Sequence, residues 1–377
     1  MKIVLDRDVL AEAVAWTART LPARPTVPVL AGIRLQAGEE LVLSSFDYDV
    51  SAQATVPVTT HEAGTALVSG RLLAEISRSL PAKPVHINAE DGRAVLTCGS
   101  ATFTLLTMPE EEYPALPDMP PAAGTIGSDA FATAVSQSAT AAGRDDTLPA
   151  LTGVRIEIEG DTLTLVSTDR YRLAVRELRW TPARPDLTAA MLVPARALAD
   201  TARSLTSSAQ VSIALALPDS GSSGGDGMIG FEGAGRRTTT RLLSGEFPRY
   251  QSLLPKSVNS VAELPVSLLS ESVKRVALVA ERNTPVRLSF SSGQLILEAG
   301  TGDEAQAEEI LEADFSGDDL SIAFNPQYLL DGLAAIDSDT VRISFTEAGK
   351  PALLTGKPEP DDNPEFRYLL MPIRLGS

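Results

Sequence analysis

The hydrophobic pattern of the chain alternates between helical and strand spacing. Where apolar residues recur every three or four positions, the pattern predicts a helix with one buried face. Where apolar and polar residues alternate, as in RIEIE at 155–159, it predicts a strand with one buried face. Three predicted helices of the first kind carry the apolar sets Val9, Leu10, Ala13, Val14 and Trp16; Phe131, Ala134 and Val135; and Leu268, Leu269, Val273 and Val276. Helices and strands in separate groups predict an α+β fold with antiparallel sheets, covered by helices on one face.

Two stretches of the chain match later stretches closely. ALVSGRLLAEISRSL at 66–80 matches MLVPARALADTARSL at 191–205 without a gap, which places Arg71 opposite Arg196 at an offset of 125 residues. GIRLQAGEELVLSSFD at 32–47 matches GVRIEIEGDTLTLVSTD at 153–169, which places Asp47 opposite Asp169 at an offset of 122 residues. Since these offsets are close to one third of the 377 residues, the chain is predicted to contain three tandem copies of one domain.

The third copy is fainter than the first two. PVRLSFSSGQLILEAG at 285–300 repeats the strand, turn and strand, and FNPQYLLDGLAAI at 324–336 stands where the second helix of the copy is expected. The predicted domains therefore span 1–120, 121–256 and 257–377, with two helices in each.

The second copy is longer than the first. EEEYPALP at 110–117 matches GEFPRYQSLLP at 245–255 at the larger offset of 134 residues, which indicates an insertion of about nine residues. PDSGSSGGDG at 218–227 suits the insertion, because its Gly and Ser content is typical of a flexible hairpin loop. A phosphate-binding loop is the less favoured interpretation, since no Gly-Lys-Ser/Thr follows.

The second predicted helix of the first two copies carries arginines seven residues apart. Seven residues fall about 20° short of two full turns, so Arg71 and Arg78 share one face, and Arg196 and Arg203 repeat the pair. The opposite side of the first of these helices is predicted to be apolar and consists of Leu72, Leu73, Ile76 and Leu80. An ordinary solvated face is the alternative, but recurrence in two diverged copies favours a binding role. Arginines without aromatic or base-reading neighbours suit phosphates, so duplex DNA bound without sequence preference is the predicted partner.

The third copy departs from this pattern. Gln327 and Ala334 stand in place of the arginine pair, so a basic contribution there has to come from elsewhere, such as Lys274 and Arg275 on its first helix. Taken alone, the overall charge argues against DNA binding, because 32 Lys and Arg against 49 Asp and Glu give a net charge of −17. Phosphate binding therefore requires that the two signs of charge occupy different faces.

The composition also disfavours several classes of protein. Cys98 is the only cysteine, which excludes an intrachain disulfide and suits a reducing cytoplasm. The only histidines, His61 and His86, have no partner at the spacing of a catalytic triad or a zinc site, so neither a metal nor a cofactor is predicted and an enzyme is the less favoured class. No run of 18 uncharged apolar residues occurs, and MKIVLDRDVLAEAV lacks the apolar core of a signal peptide, so neither a membrane span nor secretion is expected.

Several motifs in the same order resemble a known family, the bacterial DNA polymerase III beta sliding clamps. They are LPARPTVPVLAGIRL at 21–35, VSGRLLAEISRSLP at 68–81, STDRYRLAV at 167–175, SGEFPRYQSLLP at 244–255, EAQAEEI at 304–310, FNPQYLLDGL at 324–333 and YLLMPIRL at 368–375. The Arg-Tyr pair within TDRYRLAV is similar to the form of this segment in actinobacterial members, where other clamps carry Gly-His or Ser-His. The resemblance covers the full chain.

The resemblance implies a non-catalytic processivity factor that works in the cytoplasm on the nucleoid. Two chains would pair head to tail into a ring of six clamp domains, with sheets outside and helices lining a hole that holds duplex DNA. The implied protein partners are the replicative DNA polymerase, the clamp loader, repair polymerases and other proteins with a clamp-binding motif. Acids in segments such as EEEYPALPD and EPDD would then occupy the outer surface, while the arginines face the hole.

The resemblance also implies two sets of site residues. For DNA, the matching positions are Arg24, Arg71, Arg78, Arg196 and Arg203. For a cleft that binds peptide motifs of partner proteins, they are Leu151, Thr168, Arg170, Tyr171, Arg172, Leu173, Pro248, Ser252, Leu253, Tyr328, Leu369, Met371, Pro372, Ile373 and Arg374. Ser252 departs from the Arg of many clamps, which could change affinity for acidic motif residues. MPIRL near the C terminus has a composition that suits an adaptable groove, although packing of a last strand also explains Leu369 and Leu370.

The sequence leaves two alternative functions open. One is a clamp-like paralogue with altered partner or inhibitor-peptide binding. The other is a carboxylate-based hydrolase that uses acids such as Asp47 and Asp169. Because these two acids are related by the internal repeat, turn capping explains them better than a catalytic pair in one cleft.

Overall fold

A computed structural model describes residues 1–217, 227–280, 284–300, 305–357 and 365–374 of the chain. The predicted glycine and serine loop at 218–227 lies, apart from Gly227, outside the described residues. The six α-helices of the described residues are α1 (Arg7–Thr17), α2 (Gly70–Ser79), α3 (Ser128–Ala139), α4 (Ala195–Ser204), α5 (Val266–Val276) and α6 (Pro326–Ala335). Two helices fall in each sequence copy, as the pattern predicted.

Strands make up most of the remaining described structure. The first eighteen are β1 (Lys2–Leu5), β2 (Gly32–Ala37), β3 (Glu40–Phe46), β4 (Val50–Pro57), β5 (Thr59–Glu62), β6 (Gly64–Ser69), β7 (Val85–Glu90), β8 (Arg93–Cys98), β9 (Ala101–Leu106), β10 (Ala122–Gly127), β11 (Gly153–Glu159), β12 (Thr162–Thr168), β13 (Arg172–Arg179), β14 (Thr181–Pro182), β15 (Thr188–Pro194), β16 (Gln210–Ala216), β17 (Met228–Gly233) and β18 (Arg236–Arg241). The others are β19 (Ser260–Pro265), β20 (Val286–Ser291), β21 (Gln294–Ala299), β22 (Ala307–Glu312), β23 (Asp314–Ser316), β24 (Leu320–Phe324), β25 (Thr340–Phe345), β26 (Ala352–Gly356) and β27 (Phe366–Leu370).

The chain groups into two compact units. The first unit contains Met1–Ala132, Trp180–Pro185 and Ala197–Leu242. Its sheets are a five-stranded one in the order β5-β1-β7-β8-β9 and a nine-stranded one in the order β14-β10-β16-β17-β18-β4-β3-β2-β6. One face of α1 and α2 is buried in an apolar core that includes Leu10, Val14, Leu73 and Ile76.

The second unit contains Thr133–Arg179, Asp186–Arg196 and the chain from Leu243 onwards. Its nine-stranded sheet has the order β15-β11-β12-β13-β27-β26-β25-β19-β23, and its four-stranded sheet has the order β22-β21-β20-β24. The core of this unit includes Leu269 and Val273 of α5, Leu329 and Leu333 of α6, and the fully buried Tyr368. Every strand pairing among the described residues is antiparallel, so the predicted α+β fold with antiparallel sheets is confirmed.

The internal repeat is visible in the register of the two nine-stranded sheets. In the first unit β4 pairs with β18, with Ala52 opposite Thr238. In the second unit β13 pairs with β27, with Ala174 opposite Tyr368. Ala52 and Ala174 are 122 residues apart, the offset of the sequence repeat. The second sequence copy contributes strands to both sheets, and its predicted borders at 120/121 and 256/257 stay predictions.

Candidate functional site

A cavity of about 740 Å³ opens in the second unit. Three stretches line it: the segment after α3, the turn between β12 and β13, and the first turns of α6. The lining residues are Ala142, Gly143, Arg144, Asp145, Leu148, Leu151, Asp169, Arg170, Tyr171, Arg172, Gln327, Tyr328 and Asp331. A cavity of this size with both apolar and charged walls suits a short peptide or a small ligand.

The turn between β12 and β13 is held by its own side chains. Asp169 Oδ1 accepts hydrogen bonds from the backbone N–H groups of Tyr171 at 3.0 Å and Arg172 at 3.1 Å. Thr168 Oγ1 donates to the Arg172 carbonyl at 2.7 Å. Arg170 has a φ of +79°, in the left-handed region that tight turns use. This bonding fixes the backbone from which Tyr171 and Arg172 project.

Arg172 is buried in the cavity wall with its charge fully engaged. Its Nε donates to Asp169 Oδ2 at 2.9 Å, and its Nη1 donates to Asp331 Oδ2 at 2.6 Å. The guanidinium carbon lies 4.3 Å from the centroid of the Tyr328 ring, within cation–π distance. The side chain of Arg172 is only 6% exposed, so these partners replace the water that the cation loses on burial.

Tyr171 and Tyr328 form an aromatic wall. Their rings stack with centroids 6.3 Å apart, and Tyr171 is 56% exposed. Behind this wall, the Tyr368 hydroxyl donates to the Tyr328 carbonyl at 2.9 Å. Burial raises the pKa values of the Tyr328 and Tyr368 phenols further above neutral pH. The wall is therefore a flat aromatic surface, and Tyr171 is the part of it that a ligand can contact.

The rim of the cavity carries charges of both signs. Arg144, Asp145 and Arg170 all belong to the lining. Hydrogen bonds from the side chain and backbone of Thr147 lower the pKa of Asp145, and the charge of Arg170 adds to that effect. The rim can thus select polar groups of a ligand by charge, while the aromatic wall takes an apolar group.

The structure places the fifteen predicted cleft residues in three groups. Five line the cavity, namely Leu151, Arg170, Tyr171, Arg172 and Tyr328. Three are buried behind it or in the adjoining sheet, namely Thr168, Leu173 and Leu369. The remaining seven lie outside the lining and are exposed or half-buried: Pro248, Ser252, Leu253, Met371, Pro372, Ile373 and Arg374.

The C-terminal residues nevertheless run beside the cavity. The Met371 N–H donates to the Tyr171 carbonyl at 2.9 Å, which extends the pairing of β13 with β27 by one residue. The Ile373 N–H donates to the Ala323 carbonyl at 2.8 Å, at the end of β24. These two bonds hold the Met371–Arg374 segment against the backbone of Tyr171 and of β24.

Sequence reasoning missed part of the lining. The omitted residues are Ala142, Gly143, Arg144, Asp145, Leu148, Gln327 and Asp331, and Asp169 was considered only as a turn cap or a hydrolase acid. For Asp331 a signal was available, because it lies three residues after Tyr328 and so shares its helix face. The segment at 142–148 has no regular spacing of apolar residues, so no sequence pattern indicated that it lines a cavity.

The predicted DNA-binding arginines are all exposed. Arg71 and Arg78 lie on α2, and Arg196 and Arg203 lie on α4. Arg71 Nη2 donates to the Ala23 carbonyl at 3.2 Å, so α2 contacts the loop that carries Arg24. Arg203 Nη2 donates to Asp200 Oδ1 at 3.0 Å, an exposed pair that water and salt weaken.

One detail of the predicted helix face is wrong. Leu73, Ile76 and Leu80 are buried as expected, but Leu72 is 44% exposed. Leu72 lies 100° from Arg71 around the helix axis, at the border of the polar face, and the core does not reach it. The surface of α2 is therefore partly apolar.

The two acids of the hydrolase alternative cap equivalent turns. Asp47 Oδ1 accepts from the N–H groups of Asp49 at 3.0 Å and Val50 at 2.6 Å, just as Asp169 does from Tyr171 and Arg172. Burial raises the pKa of Asp47. Within the described residues, no group of three or more His, Cys, Asp or Glu side chains could hold a metal ion. No helix there is long and apolar enough to cross a bilayer.

Family models match nearly all of the chain. The N-terminal domain of the DNA polymerase III beta subunit matches residues 1–117, its central domain matches 125–249, and its C-terminal domain matches 251–374. All three therefore occur once and in order.

Individual proteins agree with these matches. The chain is 62% identical to a beta sliding clamp of Streptomyces coelicolor and 42% identical to the beta sliding clamp homologue GriR of Streptomyces muensis, in both cases over 100% of each chain. The crystal structure of a DNA polymerase sliding clamp from Bacillus subtilis aligns with a TM-score of 0.91 at 25% identity, over 100% of each chain. The chain thus belongs to the DNA polymerase III beta subunit family, the beta sliding clamps, which are non-catalytic processivity factors.

Proposed function

We propose that two copies of this chain close into a ring around duplex DNA and tether DNA polymerase III and other DNA-processing proteins through the cavity of the second unit. The main support for DNA binding is an exposed arginine pair that recurs at equivalent positions of α2 and α4. The pairs are Arg71 with Arg78 and Arg196 with Arg203. A solvated face has no reason to preserve the same two positions in two copies that differ elsewhere. We expect such a clamp to work in the cytoplasm, on the nucleoid.

The arginines suit the sugar-phosphate backbone. A guanidinium binds phosphate oxygens in a planar, two-pronged geometry, which carries affinity and no sequence information. Arg24 lies in the loop that Arg71 contacts, so loop and helix can act on neighbouring phosphates. Sliding requires this kind of contact, because each bond is weak in salt and is remade at the next phosphate.

Two sheet edges that have no partner strand among the described residues support the homodimer. The five-stranded sheet of the first unit ends at β9, whose Leu106 is 74% exposed, and the four-stranded sheet of the second unit ends at β22, whose Ile310 is 57% exposed. An exposed strand edge with apolar side chains is a site where another strand pairs. Pairing β9 of one chain with β22 of the other is a head-to-tail contact, and two such contacts close a ring.

The cavity suits an extended peptide with an apolar anchor. The aromatic wall of Tyr171 and Tyr328 offers a contact surface for a Leu or Phe side chain. Met371, whose backbone bonds to that of Tyr171, has an exposed and adaptable side chain. We expect the replicative polymerase, the clamp loader and repair polymerases to present such motifs in turn. Ser252 is exposed on the adjoining short helix Tyr250–Ser252, where it supplies no charge to an acidic motif residue.

Processive synthesis tests this function. With a primed circular template, polymerase III and clamp loader from the same source, the chain should increase the length of DNA made per binding event many-fold. A variant lacking Met371–Ser377 should give no such increase, because neither the clamp loader nor the polymerase can then bind the cavity. Products of equal length with and without the wild-type chain would contradict the proposal.

A further inference from the structure

The guanidinium of Arg172 joins three stretches that lie far apart along the sequence. Asp169 belongs to its own turn, Asp331 lies on α6, and Tyr368, whose hydroxyl is 3.5 Å from Arg172 Nη1, lies on β27. Two carboxylates and one cation therefore share a largely buried site, an arrangement that costs free energy of desolvation and is weak evidence for a role in stability alone.

The first unit contains the same sheet junction without this network. The repeat places Val50 opposite Arg172 and Thr238 opposite Tyr368, in matching strand registers. The turns are also alike, because Tyr48 has a φ of +75° where Arg170 has +79°. The β4–β18 junction thus forms with an uncharged residue, Val50, at the position of Arg172. Its largely buried cation, Arg236, lies at the other end of the strand pair and bonds to Glu12 of α1. Joining these strands therefore does not require a cation at the turn.

The equivalent helices α4 and α6 also differ in what their shared aspartate binds. Matching α4 to α6 places Ala197 opposite Tyr328 and Asp200 opposite Asp331. Asp200 pairs with Arg203 of its own helix, at 3.0 Å. Asp331 instead reaches off its helix to Arg172 through Oδ2, while its Oδ1 accepts from Gln327 Nε2 at 2.7 Å. The aspartate is common to both copies, but only at the cavity does it hold a cation against an aromatic ring.

We propose that Asp331 is a positioning residue of the peptide cleft, which acts by holding the Arg172 guanidinium against the Tyr328 ring. This fixes Tyr328, and with it the stack with Tyr171, before a peptide arrives. A wall that is ordered in advance spares the peptide the entropy of ordering it. The inference rests on the proposed function of the cavity as a peptide site.

Asp331→Asn tests the proposal, with Asp200→Asn as the matched control. The amide has the size of the carboxylate, but it is uncharged and has a single acceptor oxygen, so it cannot accept from both Gln327 and Arg172. We expect Asp331→Asn to weaken binding of a peptide from the clamp-binding motif of the replicative polymerase by about tenfold, the effect of one lost charge-assisted hydrogen bond. Asp200→Asn should bind the peptide as wild type does, and both variants should keep the wild-type midpoint of thermal unfolding within a few degrees.

A double-mutant cycle with Arg172→Met separates positioning from a direct contact. If Asp331 acts through Arg172, adding Asp331→Asn to Arg172→Met should cause no further loss of affinity. Equal affinity of wild type and Asp331→Asn, or the same tenfold loss in both backgrounds, would overturn the inference while leaving the cleft in place. A wild-type chain that binds no such peptide would overturn the proposed function together with it.

Discussion

The rings of Tyr171 and Tyr328 stack at 6.3 Å, although 157 residues separate them in the sequence. One belongs to the turn after β12 and the other to the first turn of α6, so the stack forms only when the two elements pack together. Tyr171 is the exposed member and is the one that a bound peptide can cover.

Replacing Tyr171 by Ala should weaken binding of the polymerase motif peptide by about 1 kcal/mol or more, since an aromatic contact contributes roughly that much. Tyr48→Ala is the matched control, because Tyr48 is a similarly exposed tyrosine at the equivalent turn of the first unit. Titration calorimetry of both variants gives the comparison. An equal loss in both variants would show that the tyrosine at the cavity has no special role.

Removal of Met371–Ser377 should abolish binding of the same peptide. The truncation takes away the N–H of Met371 that bonds to Tyr171 and the Ile373 contact with β24, but it leaves β27 intact. Unfolding of the truncated chain should therefore stay cooperative. This measurement also addresses the paralogue alternative, for which the full-length chain would not bind a polymerase peptide at all.

The double variant Arg71→Ala/Arg78→Ala should bind short duplex DNA with a weaker dependence on salt. In a ring of two chains the variant removes four phosphate contacts, two from each chain, which reduces the slope of log affinity against log salt by about 3.6. Arg179→Ala is a suitable control, because Arg179 is an exposed arginine on β13 that pairs with Asp161. Identical slopes for wild type and the double variant would remove these arginines from the DNA contact.

Alkaline pH should destabilise the chain through Tyr113. Burial raises the pKa of this phenol to about 12, against 10 in the unfolded chain. The folded state therefore holds the proton more tightly, and the stability that this provides is complete below pH 10 and is lost as the pH rises towards 12. Between pH 9 and pH 11 the loss is about 1 kcal/mol. Urea unfolding of Tyr113→Phe should show a decline smaller by that amount, and an unchanged decline would contradict the assignment.

The repeat and the helix faces could be predicted because they rest on local periods. Exposure of Arg71 and Arg196 follows from helical spacing, and the family that the motifs indicated is confirmed by the matches to all three of its domains. The carboxylate-based hydrolase is wrong, since this family is non-catalytic, and Asp47 and Asp169 cap turns instead.

The interior of the cavity could not be predicted in the same way. Asp331 bonds to Arg172 only because α6 packs against the turn that begins at Asp169, 162 residues earlier in the chain. No local sequence pattern predicts that contact. Arg144 and Asp145 lie in an irregular segment whose position depends on packing. The exposure of Leu72 escaped a helical-wheel argument, because the border of a buried face depends on what packs against it.

Retention on circular against linear DNA tests the central claim most directly. After loading onto a nicked circle at moderate salt, the wild-type chain should stay bound, and cutting the circle once should release it rapidly because it slides off the ends. Equal rates of loss from circular and linear DNA of the same sequence would contradict a ring that holds DNA by topology.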